Sequence, residues 1–340
     1  MTNDLLFSSF NPMKILHYSK DIEKLIYKNE IPIPTTISFD LSNRCQHNCI
    51  WCSWREHREK DGNFIDKNII KNVISECKIL GITGFEICGG GEPLIHPDAE
   101  EIIKNIGSAG NLYLITNGSK LNEEIIKYCK IIRISLDAGT SETHKKLHQI
   151  DDFDNIINNI KKSVKYVKTG IGFLIHPENY TEIPLASKIA KSLGCKYIQI
   201  RPCYNNEWFR WIEKKVQEVQ IQINKAKAEE TNDFKVFTTL YKTKPKKDWE
   251  FDKCRASYFN PLITPSGSMW ICCERRGIED SKFGTIGIDG TFTEILFSDK
   301  HKKLIDKCPN DLCPSKDKYL GYNNIIWNAY IKKNIDLDWI

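Results

Sequence analysis

Short runs of β-branched and apolar residues alternate along this chain with longer stretches in which apolar residues recur every three or four positions. Residues 36–41 read as a first strand, and 67–80 as a helix with Ile69, Ile70, Val73, Ile74 and Cys77 on one face. Further strands are expected at 85–88, 112–115, 131–136, 171–175 and 197–200. The helices between and after them are expected over 97–106, from 122, and over 154–167, 181–193 and 207–229. Six βα units in series imply an α/β fold with a parallel sheet covered by helices. A barrel, open or closed, and a flat doubly wound sheet both satisfy this pattern. In either case the ligand site lies at the carboxyl ends of the strands.

The rhythm is absent at both ends. Residues 1–35 read as a lead-in, with a short helix at 22–27 stopped by Pro32 and Pro34. Residues 36–230 carry the βα units, and 231–253, with the basic, Pro-containing stretch 242–248, read as a solvated linker. In the remaining segment, 254–340, the runs 262–264 and 269–271 flank Pro265-Ser266-Gly267-Ser268 and read as a β-hairpin.

Composition narrows the class. With 41% hydrophobic and 27% charged residues, the chain is globular rather than disordered. No apolar run reaches the ~18 residues of a membrane span, and residues 1–12 are too polar for a signal peptide. A cytoplasmic location and no membrane partner are therefore expected. A formal charge of +5 is small for 340 residues and does not point to nucleic acid. Thirteen cysteines, an odd number, cannot all pair within one chain. In a reducing compartment they read as metal ligands, reactive thiols or small buried hydrophobes.

Three of them form Cys45-x3-Cys49-x2-Cys52, directly after the first strand and so at the chemical face of the sheet. A structural zinc site and an iron–sulfur cube both normally take four protein ligands. The next cysteine, Cys77, lies 25 residues on, within an expected helix. Three thiolates with one open metal position is the better reading, and open positions are where metals do chemistry. The competing reading is a structural zinc completed by His47 or His57.

With Trp51 before its last cysteine, this motif resembles that of the radical S-adenosylmethionine (SAM) enzymes. The resemblance implies a [4Fe–4S] cluster on Cys45, Cys49 and Cys52 whose fourth iron binds the amino and carboxylate groups of SAM. Reductive cleavage would then give a 5′-deoxyadenosyl radical that abstracts a substrate hydrogen. Gly89-Gly90-Gly91-Glu92-Pro93 is similar to the family's glycine-rich run. The similarity assigns Gly90, Gly91 and Glu92 to the methionine ammonium. Asn117 in Thr116-Asn117-Gly118 also stands where members carry a cofactor-binding residue. Ser135 and Asp137 resemble ribose-binding residues, and Arg201 is placed to pair with the SAM carboxylate. The resemblance covers roughly residues 36–205 and implies a partial (β/α)6 TIM-like barrel.

A second cluster follows. Cys254-x12-Gly267-x4-Cys272, then Cys308-x4-Cys313, resembles the C-terminal SPASM and shorter twitch extensions of that family. It implies a small α+β domain holding one auxiliary [4Fe–4S] cluster on Cys254, Cys272, Cys308 and Cys313. Cys273 is a rival to Cys272, and zinc is the rival metal. Cys88 and Cys203 fall near the strand ends, and Cys203 is the candidate hydrogen donor to a substrate radical, against a packed thiol. Cys77, Cys129 and Cys195 read as structural. His144 and His148 sit four apart, but no third ligand is in sight and no metal is assigned to them.

The expected function is that of a radical SAM oxidoreductase. It would dehydrogenate a small polar or sugar-like metabolite with help from the auxiliary cluster, drawing electrons from a donor such as flavodoxin or ferredoxin. The alternatives are a peptide-modifying maturase (crosslinking or epimerisation) and a non-catalytic zinc protein.

Overall fold

The computed structural model describes residues 12–55, 63–203, 206–243, 250–307 and 319–332. Seven strands lie side by side in chain order, all parallel: β1 (Thr36–Phe39), β2 (Gly84–Ile87), β3 (Asn111–Thr116), β4 (Ile131–Ser135), β5 (Lys168–Ile175), β6 (Tyr197–Pro202) and β7 (Lys235–Thr238). The C-terminal segment extends the same sheet. β8 (Leu262–Ile263) runs parallel beside β1, and β9 (Ser268–Trp270) and β10 (Lys282–Thr285) follow antiparallel. The described strands thus form one ten-stranded sheet with β7 and β10 at its edges.

Each parallel strand presents two different faces, because successive side chains alternate. Ile37, Phe39, Phe85, Ile87, Leu112, Leu114, Ile132, Ile134, Ile171, Phe173, Ile198 and Ile200 are all buried on one face. They share one core with the apolar stripes of the flanking helices, such as Ile70, Val73 and Ile74 of Lys67–Leu80 and Ile102, Ile103 and Ile106 of Ala99–Ala109. The opposite face is polar. Ser38, Glu86, Tyr113, Arg133, Ser135, Gln199 and Arg201 stand on it. Glu86, Tyr113, Ser135 and Arg201 stay partly accessible.

Three expectations change. Residues 231–253 are more than a linker, because β7 pairs with β6 through Tyr197↔Lys235 to Ile200↔Thr238. Val236 is its one buried apolar residue and Phe234 just precedes it, too few for a clear strand pattern. The helix expected over 207–229 is two helices, Asn206–Lys214 and Val216–Lys227, separated at Lys215, whose ψ of 17° leaves the helical range. A helix at Ser141–His148, capped by the Thr140 hydroxyl accepting from the Thr143 N–H at 3.3 Å, precedes the expected one at Phe153–Ser163. The lead-in is helical over Pro12–Tyr18, Ser19–Glu23 and Lys24–Lys28, and Tyr27 donates to the Tyr330 carbonyl at 3.2 Å.

Candidate active site

The loop after β1 carries Cys45, Cys49 and Cys52, all half-buried and none in a disulfide. Its backbone is tied to the end of the helix Ser141–His148. The Asn48 N–H donates to the His148 carbonyl at 3.1 Å, and that of Ile50 to the Leu147 carbonyl at 3.0 Å. Trp51 packs edge-on against His148, with ring centroids 5.5 Å apart. The run after β2 closes on this loop from the other side. The Gly91 N–H donates to the Ser42 carbonyl at 2.7 Å, and that of Glu92 to the Arg44 carbonyl at 2.8 Å. Only glycine allows this approach. A Cβ on Gly90 would strike Asn43 and the Trp54 indole nitrogen, and one on Gly91 would strike the Arg44 backbone.

The two carboxylates assigned from sequence to the cofactor, Glu92 and Asp137, have hydrogen-bond partners within the chain. Glu92 is buried, and its oxygens accept from the Thr116 hydroxyl at 2.6 Å, the Asn117 N–H at 2.7 Å and the Leu94 N–H at 3.0 Å. It ties the glycine run to the end of β3. Burial pushes its pKa up to about 7, against those three hydrogen bonds. Asp137 is also buried, at a left-handed φ of 56° that aspartate tolerates better than most residues. Its carboxylate accepts from the Leu174 N–H at 2.6 Å and faces His148 Nε2 at 3.1 Å. Both carboxylates tie neighbouring segments of the site together in this structure. Asn117 turns toward the cysteine loop, with Nδ2 3.9 Å from Cys45 Sγ. Ser135 and Arg201 remain partly accessible on the polar face.

Two histidines complete the site. His148 Nδ1 stands 3.4 Å from Cys49 Sγ and 3.0 Å from His47 Nδ1, and His47 Nε2 lies 2.8 Å from Ser119 Oγ. Burial works against a charge on His148, but Cys49 and Asp137 outweigh it and raise the pKa to about 10. His47, buried beside that charge, is pushed down to about 3. The donor atoms of His47, Cys49 and His148 lie within 4.8 Å of one another. The sequence signal for this was the His144/His148 spacing together with a histidine inside the cysteine motif. The missing partner lay 101 residues away.

Cys203 is 1% exposed and joins the apolar core, the setting of a packed thiol. Cys88 is the half-buried thiol at the strand ends, 3.4 Å from Asp40 Oδ1. Asp40, fully buried at the end of β1, is also ion-paired with Arg276 of the C-terminal segment. The Arg276 guanidinium stacks 4.1 Å over the Trp54 ring. Cys254 and Cys272 are buried on either side of the β8–β9 hairpin, and Asn323 donates to Cys254 Sγ at 3.1 Å. Cys308 and Cys313 lie outside the described residues. Among the described residues, no helix is long and apolar enough to cross a membrane.

The donor chemistry of the β1 loop suits an iron–sulfur cube. Each iron takes one thiolate, so three thiols in one loop would hold three irons and leave the fourth open. A family model described as Radical SAM superfamily matches residues 40–188. A probable GTP 3′,8-cyclase of Saccharolobus islandicus is 28% identical over 168 residues, covering 47% of this chain and 54% of that protein. One of Methanocaldococcus jannaschii is 26% identical over 167 residues, covering 47% and 56%. This chain thus spans about half the length of these curated relatives. Among solved structures, Streptococcus suis SuiB bound to S-adenosylmethionine superposes with a TM-score of 0.65 at 16% identity, over 85% of this chain and 72% of that one. Native anSMEcpe with bound AdoMet superposes with a TM-score of 0.58 at 16% identity, over 80% and 83%. These likenesses establish a shared fold. Residues 40–188, with the cysteine loop, the glycine run and the ends of β1–β4, are thus similar to the radical SAM superfamily, whose members work with a [4Fe–4S] cluster and S-adenosylmethionine.

Proposed function

We propose that this chain is a radical SAM oxidoreductase that takes a hydrogen atom from a substrate lying on the polar face of the sheet. The observation that carries this reading is that Cys45, Cys49 and Cys52 share the loop after β1, against which the Gly90-Gly91 run after β2 closes. Cys45, Cys49 and Cys52 would hold the cluster, and the bound cluster with SAM supplies a strong carbon-centred hydrogen abstractor. Backbone groups of Gly90 and Gly91 would approach the methionine end of the cosubstrate, and Ser135 and Arg201 its more distant polar groups. Glu92, Asn117, Asp137, His47 and His148 fix the two loops.

The C-terminal segment would form a twitch-type extension of the partial barrel, and Cys254 and Cys272 would hold one auxiliary [4Fe–4S] cluster together with Cys308 and Cys313. A cluster with four protein ligands has no open iron and suits electron transfer. The net reaction is then oxidation of a small polar or sugar-like metabolite, with flavodoxin or ferredoxin feeding electrons to the first cluster. A second reading, modification of a peptide, is favoured by the superposition on SuiB bound to its precursor peptide SuiA, which spans 90% of this chain with a TM-score of 0.64.

Anaerobic purification tests the proposal. A brown protein with roughly eight irons per chain that releases 5′-deoxyadenosine with dithionite supports it. A colourless protein carrying zinc, for which His47, Cys49 and His148 offer a compact donor set, would replace it.

A further inference from the structure

Arg133 stands on β4 in the middle of the polar face and is 7% exposed. Nη1 donates to Gln199 Oε1 at 2.5 Å, a neutral amide. Nε is buried without a hydrogen-bond partner. The guanidinium rests 5.8 Å from the centroid of the Tyr113 ring, and it forms no ion pair among the described residues. Glu86 acts on it only at longer range and accepts from the Ser38 hydroxyl at 3.1 Å. Arginine keeps its charge at any ordinary pH, and an ionised group withdrawn from water without a counter-ion is costly. Gly172 of β5 lies alongside it: a Cβ there would come into ordinary contact with Arg133 Cδ and Nε, both at 3.7 Å.

We infer that Arg133 is the anchor for an anionic oxygen group of the substrate, a carboxylate or a phosphate. The inference rests on the polar face being the substrate surface, as proposed above. With Nη1 held by Gln199, the Nε–Nη2 edge is the fork that such a group engages through two parallel hydrogen bonds. Tyr113 and Tyr197, whose hydroxyls lie 3.5 Å apart, flank the position. Arg133 also lies two residues before Ser135 on its strand, deeper in the sheet than Ser135 and the loops assigned to the cluster and cosubstrate. The group it meets there is assigned to the substrate, which the SAM-affinity measurement below tests.

The test uses the anaerobically purified, cluster-loaded full chain and its Arg133→Met variant. Thermal unfolding is followed in sodium acetate, sodium phosphate and sodium chloride at equal ionic strength. The wild type is expected to gain stability saturably from acetate or phosphate over chloride, and the preferred ion distinguishes a carboxylate from a phosphate ligand. Arg133→Met should lose that gain. In chloride its midpoint should sit roughly 3 °C above the wild type, because an uncompensated buried charge is gone. No advantage of acetate or phosphate over chloride, or the same advantage in the variant, overturns the inference. A lower midpoint in chloride would assign Arg133 a structural role instead. SAM affinity, measured in parallel, should not change; a marked loss would give Arg133 to the cosubstrate and sink the substrate assignment. Iron content and 5′-deoxyadenosine release report separately on the radical SAM reading, which can fail while the anion site stands.

Discussion

The Nδ1 atom of His148 lies 3.4 Å from the sulfur of Cys49, although 99 residues separate them in the chain. The same side chain meets Asp137 through Nε2, and its backbone carbonyl holds the loop at Asn48. His148 therefore positions the middle cysteine through both side chain and backbone. Partners behind a metal ligand typically change metal affinity by 10–100-fold. His148→Ala is expected to lose iron to a chelator roughly tenfold faster or more, with the fold kept. Iron retention equal to the parent's would show that the contact does not support the loop.

Gly91 is the place where the two loops touch most closely. A Cβ there would collide with the Arg44 backbone, one residue before Cys45. Gly91→Ala should displace the cysteine loop, and misplacement near 1 Å costs about 100-fold in a reaction that depends on alignment. Release of 5′-deoxyadenosine from the reconstituted variant is the measurement, with circular dichroism checking that the sheet is intact.

Glu92 makes stability depend on pH in an unusual direction for a carboxylate. Its pKa is raised from 4.5 to about 7 in the folded chain. The protonated form is thus favoured by folding. Its contribution is complete below about pH 4.5 and is lost as the pH rises through about 7, a span worth about 3 kcal/mol. Glu92→Gln removes the titration. Its unfolding midpoint relative to the parent's should rise steadily between pH 4.5 and 8, whatever constant offset the altered hydrogen bonds introduce. Parallel profiles for the two proteins would contradict the buried-acid account.

Arg276 and Asp40 connect the C-terminal segment to the end of β1. Asp40 is fully buried, so removing the guanidinium strands its charge. Breaking one side of such a pair usually costs 3–5 kcal/mol. Arg276→Met should show a loss of about that size in denaturant unfolding, and Arg276→Met with Asp40→Asn should recover much of it. Additive losses in the double variant would mean that the two residues act independently.

Cys254 and Cys272 are expected to serve the auxiliary cluster alone. Replacing both with alanine should lower iron from roughly eight to roughly four per chain and leave 5′-deoxyadenosine release with dithionite intact. Substrate oxidation should fall steeply. An unchanged iron content would remove these two residues from the ligand set.

The parallel βα order and the cysteine loop at a strand end were legible in the sequence because both are local. Helical and strand periods are set over about ten residues, and Cys45, Cys49 and Cys52 fall within eight. β7 was not legible, since a four-residue strand with one buried apolar residue, Val236, hardly differs from a linker. Side-chain roles were the least legible part. Glu92 and Asp137 matched the expected positions, yet folding delivered buried donors to both. Cys203 matched a strand end and was drawn into the core. His47, His148, Asp40 and Arg276 became partners only when segments 101 and 236 residues apart came together. Spacing along the chain determined which thiols share a loop. Only the tertiary structure decided which polar groups are already satisfied and which, like Arg133 Nε, have no hydrogen-bond partner among the described residues, because hydrogen bonding in a buried site depends on neighbours that the chain supplies from far away.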